Sequence, residues 1–325
     1  MTSLSHSHAK NPAKSDRLLV LPLGAAYDKV WPLQGGSRVQ ALAEGYGLIE
    51  GPVWDPERGL LYSDVLFGGV FCLDAEGTVS TVFEHRRGIG GMALHENSGL
   101  VVSGRNISFK PFSGGATVML LDRDEAAGNV GYNDITTDAT GRIYAGSLGS
   151  SPVFDDGREP RSGSLYLIEL DGTASVVATD VQLTNGLGFS PDGSVLYHSD
   201  SRRQTVFCYS VAADGTLGEK RVFVTTDKGV PDGLVVSTDG AVWVALAGGG
   251  HGVGVFAADG SFLEHIEIPL PMCTSVCFGG EDLKDLYIVS GATDSGSQRG
   301  GAVFVHRTDV AGLRVPPARV TIPNP

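Results

Sequence analysis

Hydrophobic and polar residues alternate along the chain in short runs, with almost no helical periodicity. Runs such as Leu60–Asp64, Val70–Asp74 and Thr78–Phe83 are rich in β-branched, aromatic and leucine residues. They are separated by Asp-Gly, Glu-Gly and Asn-Ser-Gly turns. This combination is typical of β-hairpins joined by tight turns. The chain is therefore predicted to be all-β.

The same pattern repeats in six units, each with a period of roughly 40 to 50 residues. The units begin near Gly51, Gly91, Asp134, Gly186, Gly233 and Ser275. A period of this length predicts a six-bladed β-propeller with four-stranded blades. A ring of blades must close, and the strand-like run Val39–Ala43 precedes the first unit. We predict that this run is the outer strand that completes the sixth unit. Residues 1–38 are predicted to be a flexible N-terminal segment and lead-in, and residues 39–325 a single propeller domain.

Four of the units carry a polar residue just before the run that should lie innermost: Glu50, Asn133, Asn185 and Asp232. Their distance to an aromatic residue of the following run is nearly constant, as the pairs show: Glu50 and Tyr62, Asn133 and Tyr144, Asn185 and Tyr197, Asp232 and Trp243. Equivalent positions of successive blades lie on a circle around the central channel. We therefore expect these four side chains to converge at one end of it. The other two units carry Gly90 and Thr274 at this position.

Two carboxylates brought together without a counter-charge cost free energy and raise a pKa, and a bound divalent cation removes that cost. The predicted metal ligands are Glu50, Asn133, Asn185 and Asp232. All of them offer oxygen atoms, so Ca²⁺ is the first expectation, with Mg²⁺, Mn²⁺ and Zn²⁺ as alternatives. Taken singly, an Asn or Asp before glycine is more often a turn residue. The four in register favour a metal centre.

Composition and charge narrow the range of partners. The 325 residues carry a formal net charge of -13, with 42% hydrophobic and 19% charged residues. This balance argues against nucleic acid or an anionic membrane as the main partner. The N-terminus lacks the apolar run of a signal peptide, so the expected location is the cytoplasm. The four cysteines show no zinc-ligand spacing.

Five sequence motifs resemble those of the SMP-30/gluconolactonase/LRE family and occur in the same order: Glu50–Trp54, Tyr132–Asp134, Thr184–Gly193, Pro231–Leu234 and Thr274–Gly280. The resemblance covers about residues 40–308. The resemblance implies a six-bladed propeller and hydrolysis of a lactone. It implies a metal held by Glu50, Asn185 and Asp232, with Asn133 contacting metal or substrate. Asp232 would act as general base or nucleophile.

One position departs from that family. Many of its sugar lactonases have an arginine two residues before the asparagine of the third unit, where this chain has Gly131. A less polar lactone than a sugar lactone is therefore a candidate substrate. Arg105 and Asn106 are candidate substrate-binding residues that take over part of the missing role. The opposing interpretation places both in a surface turn.

The sequence thus predicts a metal-dependent lactonase acting on a small-molecule lactone. Two alternatives use the same site: a phosphotriesterase-type hydrolase and a non-catalytic Ca²⁺-binding regulatory protein. Two long interruptions of the repeat, residues 147–163 and 291–300, are either a rim over the binding mouth or surface loops.

Overall fold

The computed structural model describes residues 39–154, 157, 159–292 and 299–323. These residues form 24 β-strands and one short 3-10 helix, Ser201–Arg203. The strands make six antiparallel sheets of four strands each. The predicted six-bladed β-propeller is therefore confirmed. No helix of the described residues is long and apolar enough to cross a membrane. The predicted lead-in, residues 1–38, lies outside the described residues.

The first three blades follow the chain without crossovers. Blade 1 consists of β2 (Ile49–Asp55), β3 (Gly59–Asp64), β4 (Val70–Leu73) and β5 (Val79–Phe83). Blade 2 consists of β6 (Met92–His95), β7 (Gly99–Val102), β8 (Ile107–Pro111) and β9 (Val118–Leu121). Blade 3 consists of β10 (Gly131–Thr137), β11 (Ile143–Leu148), β12 (Gly163–Ile168) and β13 (Ala174–Val181).

The next two blades repeat this arrangement, and the sixth contains the closure of the ring. Blade 4 consists of β14 (Thr184–Phe189), β15 (Val195–Asp200), β16 (Thr205–Ser210) and β17 (Arg221–Thr225). Blade 5 consists of β18 (Val230–Val236), β19 (Val242–Ala247), β20 (Gly252–Phe256) and β21 (Phe262–Glu267). Blade 6 consists of β22 (Met272–Gly279), β23 (Asp285–Gly291), β24 (Gly301–Arg307) and β1 (Gln40–Tyr46).

The ring closes through the N-terminal strand, as predicted. β1 pairs with β24 in antiparallel register, with Gln40 opposite Val305 and Tyr46 opposite Gly301. Ala41 is only 3% exposed because it packs into the core between blades 5 and 6. Each blade would expose an apolar face on its own, and radial packing buries it.

The first strand of each blade lies nearest the axis, where it contacts the first strand of the next blade. The hydrophobic cores lie between blades: Tyr62 of blade 1, for example, packs with Cys277 and Val303 of blade 6. The aromatic residues at constant spacing in the sequence, Tyr62, Tyr144, Tyr197 and Trp243, are all buried on second strands. They fill these inter-blade cores, which explains their regular recurrence.

Glycines next to the predicted ligands allow the inner strands to touch. A Cβ at Gly186 would lie 2.3 Å from the backbone nitrogen of Leu234, and one at Gly233 would lie 2.0 Å from Ser275 Oγ. Any side chain at these positions would push the neighbouring blade away. These glycines are therefore needed for close approach of the blades rather than for a turn.

The segment after β24 crosses the end of the channel opposite to the predicted site. Leu313 N donates to Val236 O of blade 5 at 2.9 Å, and Pro316 O accepts a hydrogen bond from Thr137 of blade 3. Ala318 N then donates to Leu94 O of blade 2 at 2.7 Å. The chain thus passes from blade 5 to blade 3 without following the rim. This segment, residues 308–323, is called the C-terminal strap below.

Candidate metal centre and catalytic site

The four predicted ligands lie inside the inner strands, not just before them as the sequence suggested. Glu50 is the second residue of β2, and Asp232 is the third residue of β18. In each of the four strands the pairing register shifts at this point, between Glu50 and Val53 in blade 1 and at the equivalent residues of blades 3, 4 and 5. Such a bulge re-aims a side chain, and here it gives four blades a polar residue at the same level of the channel.

Hydrogen bonds join the ligand positions of blades 3, 4 and 5. Asn133 Nδ2 donates to Thr184 O at 2.8 Å and also to the side-chain oxygen of Asn185. Asn185 Nδ2 donates to Ser201 Oγ at 2.6 Å. Ser201 Oγ in turn donates to Pro231 O at 2.6 Å, one residue before Asp232. The structure therefore brings Asn133, Asn185, Ser201 and the Pro231 carbonyl, which directly precedes Asp232, into one hydrogen-bonded arc.

Glu50 and Asp232 are the two carboxylates of this level, and both are buried at 9% exposure. Burial raises the pKa of Glu50 well above that of an ordinary glutamate, and the charges of Asp232 and Asp134 raise it further. Burial likewise raises the pKa of Asp232, and Asp134 adds to the effect. Among the described residues, no cationic side chain is a cause of either shift in pKa. The two groups thus form an uncompensated acidic pair.

The residues fit a hard divalent cation. Asp232 Oδ1 is buried and has no hydrogen-bond partner, which is costly for a carboxylate oxygen unless something positive binds it. No group of three or more His, Cys, Asp or Glu side chains among the described residues is placed to hold a metal. A cation at this level would therefore need the amide oxygens of Asn133 and Asn185 beside the two carboxylates. Such a donor set favours Ca²⁺, Mg²⁺ or Mn²⁺ over Zn²⁺.

A cavity of about 570 Å³ opens above this level, and Glu50, Asn133, Asn185 and Asp232 all line it. Arg105 also lines it, as predicted for a substrate-binding residue. Asn106 is not part of the lining. Its Oδ1 accepts hydrogen bonds from Arg86 at 3.1 Å and from Ser108 at 2.7 Å. The structure therefore places Asn106 outside the cavity that the four predicted ligands and Arg105 line.

Gly131, where the sequence lacks an expected arginine, lies directly against Arg105. A Cβ at Gly131 would be 2.6 Å from Gly104 O and 3.4 Å from the Cα of Arg105. Tyr132 N and Gly104 O also form a 2.7 Å hydrogen bond between blades 3 and 2. The backbone that carries Arg105 thus occupies the space into which a side chain at Gly131 would extend.

Part of the interruption at residues 147–163 borders the cavity. Its lining includes Ser151, Pro152, Val153 and Phe154. The structure thus favours the rim interpretation for the described part of this segment. In the second interruption, 291–300, residues 293–298 lie outside the described residues, and none of its described residues lines the cavity.

Asp134 is a third buried carboxylate that the ligand pattern did not single out. Burial raises its pKa to about 7, and its charge raises the pKa of both Glu50 and Asp232. It lines a second cavity of about 270 Å³ on the side of the C-terminal strap. The sequence contains one indication of Asp134: the other three predicted ligands are followed by glycine, and only Asn133 is followed by a charged residue.

The fold and the site together define the class of protein: a six-bladed β-propeller with an acidic, oxygen-rich site on its axis. The family model of the SMP-30/Gluconolactonase/LRE-like region matches residues 48–292. The chain belongs to this family. It is 33% identical over 281 residues to a 6-deoxy-6-sulfogluconolactonase of Pseudomonas putida, covering 83% of this chain and 94% of that protein. It is 30% identical over 290 residues to a pentonolactonase of Haloferax volcanii, covering 84% and 94%.

Solved structures show the same architecture. A gluconolactonase of Xanthomonas campestris superimposes with a TM-score of 0.71 at 25% identity, over 84% of this chain and 90% of that one. A luciferin-regenerating enzyme superimposes with a TM-score of 0.78 at 23% identity, over 88% and 100%. The second likeness concerns the fold alone.

Proposed function

We propose that this protein is a metal-dependent lactonase, which opens a lactone ring to the hydroxy acid. The observation that carries this proposal is the unpartnered buried oxygen of Asp232, facing a second buried carboxylate below a cavity of about 570 Å³. The lactonase names of its relatives support the reaction class. Glu50, Asn133, Asn185 and Asp232 would hold a divalent cation, which when bound would supply Lewis-acid stabilisation of the charge that develops on the carbonyl oxygen.

The residues divide the remaining work according to their chemistry. Asp232 is the group that activates water or attacks the carbonyl carbon, because it is a buried carboxylate with one free oxygen. Glu50 supplies the second negative charge. Asn133 and Asn185 do not titrate, and their hydrogen bonds to Thr184 and Ser201 fix the orientation of their amides. One turnover in H₂¹⁸O separates the two roles of Asp232, since direct attack leaves the label in its carboxylate.

A pH-drop assay on a panel of lactones, with and without EDTA, tests the proposal. We expect ring opening that disappears on chelation and returns with added Ca²⁺, Mg²⁺ or Mn²⁺. Asp232→Ala should abolish it while the protein remains folded by circular dichroism. Activity that survives complete metal removal would refute the metal dependence.

The same panel distinguishes the alternative activities. Phosphotriesters are included because the same oxygen-rich site can act on phosphorus esters. Hydrolysis of these compounds alone would replace the lactonase by a phosphotriesterase. Tight Ca²⁺ binding without turnover of any compound would instead indicate a regulatory calcium-binding protein.

A further inference from the structure

We propose that the substrate is a lactone with few hydroxyl groups and one anionic group, a carboxylate, sulfonate or phosphate, which Arg87 and Arg105 bind at the cavity wall. This inference rests on the proposed lactonase function and specifies its substrate class. Both arginines line the cavity of about 570 Å³ and are exposed to it.

The side chains of Arg87 and Arg105 start from neighbouring backbone positions in the cavity wall. A Cβ at Gly104 would lie 2.7 Å from Gly88 O, so the backbones of these two glycines are in contact. Arg105 follows one of them and Arg87 precedes the other. The two side chains therefore start from adjacent positions on the side of blades 1 and 2, from which both guanidinium groups can reach one anion.

The arginines of this region differ in whether their guanidinium groups already form hydrogen bonds or ion pairs within the protein. Arg86 donates to Ser103 O and Asn106 O, each at 3.3 Å, and Arg123 forms a salt bridge with Glu125. Among the described residues, Arg87 and Arg105 have neither a hydrogen-bond nor an ion-pair partner. Their donors thus remain available to a ligand.

The neutral side chains of the cavity have few unengaged hydrogen-bond donors for a polyhydroxylated ring. Thr274 donates its hydroxyl to Ile49 O at 2.5 Å, Ser201 to Pro231 O at 2.6 Å and Tyr132 to Asp122 O at 3.0 Å. Both amide hydrogens of Asn133 and one of the two of Asn185 are engaged within the arc described above. Ser151 Oγ accepts hydrogen bonds from Phe154 N at 2.9 Å and Val153 N at 3.4 Å and donates to no described residue, so its hydroxyl donor remains for a ligand.

The rest of the wall is largely apolar. Contributions come from several blades and from the rim segment: Leu48, Leu66, Leu148, Leu183, Val230 and Met272. Hydroxyl groups placed against such a surface lose their hydrogen bonds to water without replacement. A lactone with an apolar body and one charged arm satisfies both the apolar wall and the two free cations.

The experiment compares matched lactones with the metal-loaded enzyme. A lactone carrying a carboxymethyl arm is measured beside its carboxamide, which has the same size and no charge, and beside gluconolactone. We expect the acid to have a KM about tenfold or more below that of the amide. Sulfonate and phosphate analogues identify which anion is preferred.

Variants assign this preference to the two arginines. Arg105→Gln and Arg87→Gln should each raise KM for the acid by about five- to tenfold and change KM for the uncharged amide by less. Arg221→Gln removes the same charge from an exposed position of β17, far from the cavity, and should change nothing. Arg105→Glu should reverse the preference toward a lactone with an amino arm.

The outcomes separate this inference from the lactonase function on which it rests. Equal KM values for acid and amide, or a preference that persists in the Arg87→Gln/Arg105→Gln double variant, overturn the anion site and leave the lactonase intact. Turnover of no lactone at all by the metal-loaded enzyme overturns the lactonase and, with it, the substrate class.

Discussion

Gly90 and Asn133 are in such close contact that no larger residue fits at position 90. A Cβ at Gly90 would lie 1.9 Å from Asn133 Oδ1, one of the oxygens proposed to hold the cation. Gly90 is the blade 2 counterpart of the ligand positions, so the blade without a ligand makes room for the ligand of the next one.

Gly90→Ala is therefore expected to displace the Asn133 amide and lower kcat/KM on the order of 100-fold, because small misplacements of positioning groups are costly. The measurement is steady-state kinetics together with cation affinity by calorimetry. Gly188→Ala is the matched control, since its Cβ would meet only side-chain atoms of Leu234 and Val236. Similar losses in both variants would contradict the specific role of Gly90.

Glu50→Gln and Asp232→Asn should differ in whether excess metal rescues them. Replacing Glu50 removes a charge that holds the cation, so its affinity should fall by about tenfold or more while the reacting group remains. Raising the metal concentration should then restore part of the rate. Asp232→Asn removes the base or nucleophile, and no metal concentration should restore it. Equal rescue of the two variants would argue against the roles assigned to them.

The metal-free form of Glu50→Gln should also be more stable than the metal-free wild type. Glu50 is buried beside Asp232, and no cationic side chain of the described residues offsets its charge, so removing this charge relieves a repulsion. Thermal melting in EDTA measures this directly, and the order should reverse at saturating metal. A lower melting temperature for Glu50→Gln in EDTA would show that the carboxylate pair is already compensated.

His198 should make the protein acid-sensitive. Burial lowers the pKa of this fully buried imidazole to about 4, whereas an unfolded histidine has a pKa of about 6.5. The unfolded chain binds the proton more readily between these values. The stability due to neutral His198 is thus fully present above pH 6.5 and is lost as the pH falls toward 4, by up to about 3 kcal/mol.

Urea unfolding at several pH values tests this expectation by difference. The buried carboxylates of Glu50 and Asp232 act in the opposite direction, because their raised pKa favours folding at low pH. His198→Asn should therefore remove a stability loss between pH 6.5 and 4 that the wild type shows. Parallel profiles of wild type and His198→Asn would refute the assignment.

Deletion of residues 1–45 should lower the melting temperature on the order of 10 °C, because it removes β1 and exposes the edge of β24. Deletion of residues 1–38 alone removes no described strand and should have little effect. A melting temperature shared by both truncations would mean that β1 does not hold the ring closed.

The repeat pattern predicts both the fold and the candidate ligand positions, since equivalent residues of successive blades must lie on one circle around the central channel. Glu50 and Asp232 could thus be paired across the sequence without structural information. The bulges could not be predicted, because register depends on the neighbouring strand. Asp134 was not predicted because the residues at its position in the other three units are glycines, which offer no side-chain chemistry to compare with it. Arg87 lies in the connection between blades 1 and 2, and the repeat pattern does not predict in which direction a side chain of such a connection points.

The C-terminal strap and the pairing of β1 with β24 have a shared consequence for how the molecule comes apart. A row of repeats that touch only their neighbours can fray from either end. Here the strap binds blades 5, 3 and 2 in succession, and β1 joins the two ends of the row. Every blade therefore belongs to a closed circuit of contacts, and loss of one blade weakens contacts on the far side of the ring. Unfolding in a single cooperative transition follows from this circuit, and the axial site persists only while the whole ring is intact.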